Sequence, residues 1–172
     1  MKKLSVFMFA LVLLVAIAGV PNVRGDSLSL DVWQTFFFGA APSQASPSWD
    51  FTLTSPGVLR VTDGFVIGDE FNIVVNATTY PTSTQDRTSD GIDSNALDGD
   101  TAWADGRLSF LYLNLDPGTY HVDEFVTRNA LGFPEGGAAF IRVDPVPEPA
   151  TMLLLGSGLV GLAAYVRRRF TK

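Results

Sequence analysis

The chain predicts a mainly β fold: an antiparallel β-sandwich of the jelly-roll kind, with an N-terminal signal helix and one C-terminal transmembrane helix outside it. Three observations carry that expectation. Apolar residues between 26 and 144 come in short runs, several alternating with period two, with no long helical periodicity. Turn chemistry recurs between them at Pro56-Gly57, Asp63-Gly64, Gly68-Asp69 and Asp116-Pro117-Gly118. Long unbroken apolar stretches occur only near the two ends, each beside basic residues.

Residues 1–25 read as a secretory signal peptide, with Met1-Lys2-Lys3 basic and Leu4 to Ala18 apolar. Cleavage fits after Ala18 or after Gly25, and the sequence leaves both open. The sandwich is expected over 26–144. Val32 to Phe38 is a dense aromatic strand, and Pro42 to Ser48 a loop. Trp49 to Thr54 alternates, placing Trp49, Phe51 and Leu53 on one face. Val58 to Thr62 reads as the second arm of a hairpin turned at Pro56-Gly57. Phe65 to Ile67 is a short run and Phe71 to Val75 a further strand. Asn76 to Gly106 is a polar insert, mostly loop, with a helical turn within Ala96 to Ala104. Leu108 to Leu113 and Thr119 to Val126 read as a hairpin around Asp116-Pro117-Gly118, and Ala138 to Val143 closes the domain.

The tail, 145–172, has three parts in order: Val146-Pro147-Glu148-Pro149, an uncharged span over 150–166, and Arg167-Arg168-Arg169. A helix of those 17 residues rises about 25 Å, near the lower limit for crossing a hydrocarbon core. Arginines beside an apolar span stay cytoplasmic, which leaves the preceding residues outside. Alternating Pro145, Pro147 and Pro149 favour an extended approach to the membrane. This layout resembles the PEP-CTERM sorting signal of exported Gram-negative proteins, itself similar in plan to the LPXTG tail. The resemblance implies recognition of Pro147, Glu148 and Pro149 by an exosortase, cleavage nearby, transient residence in the inner membrane, and a destination at the cell surface or in the extracellular matrix. Val61-Thr62-Asp63 with Phe65, then Gly68-Asp69-Glu70-Phe71, also resemble a core of secreted PEP-CTERM ectodomains, as do Asp98 to Asp105 and the Leu113 to Tyr120 turn. They imply an extracellular sandwich without a catalytic assignment.

Between Asp26 and Pro147 five arginines face 17 acids with no lysine, a net charge of −12. Such a surface repels nucleic acid and anionic lipid. The chain has no cysteine, which removes thiol catalysis, thiolate metal sites and disulfides.

Candidate sites remain few. Asp93, Asp98 and Asp100 lie on an acidic loop able to offer oxygen ligands to calcium, although Leu97 breaks the EF-hand spacing; solvated loop acids are the competing reading. Trp103, beside polar residues, is the candidate platform for stacking a sugar ring, with ordinary packing as its alternative. Asn76-Ala77-Thr78 fits a glycosylation sequon. His121 and Asp123 share a strand face, and a triad reading could draw in Ser109, but nothing resembles a nucleophile elbow. Asp50, Asp63, Asp69 and Glu70 are too ordinary in a β-sandwich to mark a glycosidase pair. The expectation is a non-enzymatic, exosortase-processed surface or matrix protein, structural or adhesive in exopolysaccharide biofilm or floc and needing no cofactor. A module binding matrix glycans is the alternative.

Overall fold

A computed structural model describes residues 25–146, 153–160, 162 and 167. Among these residues ten strands form: β1 Asp26–Ser27, β2 Gln34–Phe38, β3 Ser43–Gln44, β4 Trp49–Leu53, β5 Gly57–Asp63, β6 Glu70–Val75, β7 Thr78–Pro81, β8 Phe110–Leu115, β9 Gly118–Arg128 and β10 Gly137–Pro145. A short helix, α1, spans Gly99–Ala104. The strands build two sheets. The first has the order β1-β4-β9-β6-β7 with β3 added to β9; the second is β2-β10-β5-β8. All pairs are antiparallel except β1 with β4. Two sheets of strands make the expected β-sandwich, and from β4 onward the chain changes sheet at almost every step.

Alternation explains which side chains meet between the sheets. Trp49, Phe51 and Leu53 of β4 are buried while Thr52 faces out. Phe71, Ile73 and Val75 of β6 do the same, as do Val122 and Val126 of β9. From the second sheet Phe36, Leu59, Val61 and Ile141 close the layer. Phe36 and Phe38 pack edge-on to Phe71, with centroids 5.5 and 4.9 Å apart. Each such pair contributes roughly 0.5–1.5 kcal/mol beyond simple burial.

Neither expected hairpin forms. β4 and β5 lie in different sheets, as do β8 and β9. The turn residues reverse the chain, but each reversal arches across the sandwich. Burial supplies the reason: β5 is covered on both faces and needs neighbours on both edges, which β10 and β8 provide.

The insert is more ordered than its composition suggests. It contributes β7 and a 3₁₀ turn at Arg87–Ser89, and it folds back over the outer face of the second sheet. There Ile67, Ala96, Ala102, Leu108 and Phe140 make a second small core, edged by Trp33. α1 sits on this core because Asp98 caps it: the Asp98 carboxylate accepts from Thr101 N, and the Thr101 hydroxyl accepts from Asp98 N. Gly99 is required, since a Cβ there would lie 2.3 Å from the Trp33 ring.

Candidate functional site

Trp103 stands half-buried in an aromatic cluster on the outer face of the second sheet. Its ring lies 5.9 Å from Trp33 and 5.5 Å from Phe110. Arg60 covers it at 5.5 Å, and Arg142 lies 6.0 Å over Trp33. Register explains the grouping: Arg142 pairs with Arg60 and Arg60 with Tyr112, so three neighbouring strands present one row. Carboxylates neutralise the two arginines. Asp144 meets Arg60 at 3.3 Å and accepts from Arg142, and Asp100 accepts from Trp33 Nε1 at 2.7 Å. The exposed flank of the row is Tyr112, 51% exposed, beside Phe110. Trp103, the candidate platform, is therefore a packed, arginine-covered ring with accessible aromatics next to it.

The sequence singled out Trp103 but not Trp33, Arg60, Arg142 or Asp144. A signal for them existed. Arg60 and Arg142 are the lone basic residues of two largely apolar strands, and a charge there calls for a carboxylate and an aromatic cover.

The calcium candidates do not converge. Asp93 accepts from Asn95 N, Asp98 caps α1, and Asp100 faces Trp33 and Arg142. Among the described residues no group of three or more His, Cys, Asp or Glu side chains is arranged to hold a metal ion. Asn76 is exposed, but its carboxamide is used: Oδ1 accepts from His121 N and Nδ2 donates to Thr119 O. His121 pairs with Asp50 at 2.6 Å and with Asp123 at 3.3 Å, while Ser109 is buried against Thr82. No triad is assembled. Glu70 binds Arg87 and Thr84 N.

The acids of the Val61 to Phe71 motif are structural. Asp63 and Asp69 are buried where β5 leads into β6. Burial, and then the charge of Asp69, hold Asp63 well above the usual carboxylate range. Burial likewise raises Asp69 to about 6, against hydrogen bonds from Ala130 N and Asn129 and the charge of Arg128. Desolvation also pushes on Asp90, yet hydrogen bonds from Leu131 N and Arg128 outweigh it and hold Asp90 below its ordinary value. Arg128 also donates to Gly68 O at 2.6 Å. Gly68 has φ +134° and touches Asp90, so no side chain fits there.

The tail begins inside the fold. Pro145 is the last residue of β10, opposite Gly57, and Val146 N donates to Pro56 O at 2.7 Å. Pro147, Glu148, Pro149, Arg168 and Arg169 lie outside the described residues, as does the signal segment 1–24. Residues 153–160 of the expected 150–166 span are helical. Among the described residues no helix is long and apolar enough to cross a membrane.

No curated protein matches the chain. The pre-peptidase C-terminal domain of a collagenase from Bacillus anthracis is a solved structure similar to it, with 13% identity, a TM-score of 0.40, and coverage of 73% of this chain and 98% of that one. The model of the PEP-CTERM protein-sorting motif matches residues 145–169. The chain thus carries a PEP-CTERM sorting motif whose first two residues are the end of a β-sandwich.

Proposed function

We propose that this protein is exported behind the signal peptide of residues 1–25, processed by an exosortase at Pro147-Glu148-Pro149, and released as a structural or adhesive component of an exopolysaccharide matrix. The observation that carries this reading is the sorting motif at 145–169 directly after a folded sandwich. The motif itself implies export and exosortase processing. The matrix role extends that implication, and the strongly acidic ectodomain suits a hydrated, self-repelling surface component. The sandwich acts in this reading as a non-enzymatic module needing no cofactor, and Arg167-Arg168-Arg169 hold the uncleaved tail on the cytoplasmic side.

A second reading, a module for matrix glycans, is favoured by the Trp33, Trp103, Phe110 and Tyr112 row. Intact mass spectrometry of the protein from its host tests the first reading. A mature chain ending near Pro147 supports it, and a chain retaining Arg167-Arg168-Arg169 overturns it. Binding to purified exopolysaccharide that falls at least tenfold in Tyr112→Ala supports the second, and unchanged binding removes it.

A further inference from the structure

We propose that the sandwich gates its own sorting: the residues before Pro147-Glu148-Pro149 are zipped into β10, and the exosortase gains the motif only when Asp144 to Val146 peel from β5. The proposal rests on the exosortase reading above. An enzyme that binds an extended peptide needs free backbone on both sides of its recognition sequence. On the N-terminal side this chain offers none. Val146 N is bonded to Pro56 O at 2.7 Å, Pro145 faces Gly57, and Asp144 faces Val58.

The strand has a natural limit to its opening. Val143 is fully buried and accepts from Asp31 N at 2.8 Å, so it is held from the β2 side as well as by β5. The three residues beyond it are weaker. Pro145 has no N–H to give to the ladder, and both Pro145 and Val146 are at least partly exposed. The latch on this short section is Asp144, whose carboxylate meets Arg60 at 3.3 Å and accepts from Arg142. Those arginines are themselves fixed over Trp103 and Trp33. Peeling therefore breaks one ion-pair cluster and a few terminal rungs while the core stays closed.

The test is pulse-chase processing of the full chain in a host carrying its exosortase, read as the mass of the mature product. A six-residue Gly/Ser spacer inserted between Val146 and Pro147 is expected to speed processing about tenfold. Asp144→Asn, which weakens the latch without moving the motif, should speed it two- to threefold. The pair Val58→Cys and Asp144→Cys, introduced into a chain without other cysteines, should slow processing until reductant is added. A wild-type rate matched by both the spacer and the Asp144→Asn chain overturns the gate while leaving exosortase processing intact. Failure of wild type and spacer chain alike to be cleaved overturns the sorting reading and the gate with it.

Discussion

Two regions of this domain bury acids, and they surround them differently. At the end where β5 leads into β6, Asp63, Asp69 and Asp90 meet backbone amides and Arg128. In the layer between the sheets, Glu124 is 0% exposed, beside Ile73 across the ladder, and neither carboxyl oxygen has a hydrogen-bond partner among the described residues. Burial first, and the neighbouring Asp123 charge second, push Glu124 up to about 9. The comparison teaches that depth and donors together decide an acid's protonation. Asp90, shallower and among donors, is held low; Asp63 and Asp69, buried despite their donors, are raised, and Glu124, without any, is raised to about 9.

The largest expected effect lies with Glu124. Its folded value is raised from 4.5 to about 9, so the stability linked to it is full below pH 4.5 and drains away as pH rises to about 9. Between pH 5 and pH 8 this amounts to about 4 kcal/mol as an upper bound. Glu124→Gln should flatten that slope and raise the urea midpoint at pH 8; a wild-type midpoint equal at both pH values would break the contrast.

Asp69 has the same sign over a lower window. Raised from 3.8 to about 6, it loses its contribution between those values, at most about 3 kcal/mol. That slope should remain in Glu124→Gln and lessen when Asp69→Asn is added, Asp63 keeping a contribution of the same sign. Asp86, Asp98 and Asp105 oppose it: hydrogen bonds from Ser89 and Thr88, from Thr101, and from Arg107 hold them low. Their contributions are lost on acidification instead, so stability should peak in mildly acidic solution.

Arg128→Ala sharpens the comparison from the other side. It leaves the Gly68 carbonyl without its Arg128 donor and Asp90 with only the Leu131 amide, and should cost about 2 kcal/mol in denaturant unfolding. A loss well below that would mean the backbone amides suffice. Smallest is Asp98→Ala, which removes the cap of α1 for about 1 kcal/mol. It should report locally, as a shift in tryptophan fluorescence from Trp33 and Trp103.

Much of the fold was legible from alternation. Trp49, Phe51 and Leu53 fall inward as their spacing demands. Glu124 was equally legible, since Val122, Glu124 and Val126 share a face by the same period, though its consequence lay hidden until the layer was closed. What local sequence does not encode is which sheet a strand joins after a turn, because Pro56-Gly57 and Asp116-Pro117-Gly118 specify reversal and not destination. The grouping of the arginine row was hidden for a related reason: Arg60 and Arg142 stand out in their strands, but they and Tyr112 become neighbours through register alone. The sorting motif was readable because its information is linear.

β10 is the last strand of the domain and lies between β2 and β5, at the interior of the second sheet. A chain emerging N-terminus first therefore shows two unpaired edges until residues 137–145 have followed. Maturation of the domain is tied to the final moments of its passage. The nascent sandwich is sticky for as long as it is incomplete, and the strand that completes it arrives joined to the sorting motif.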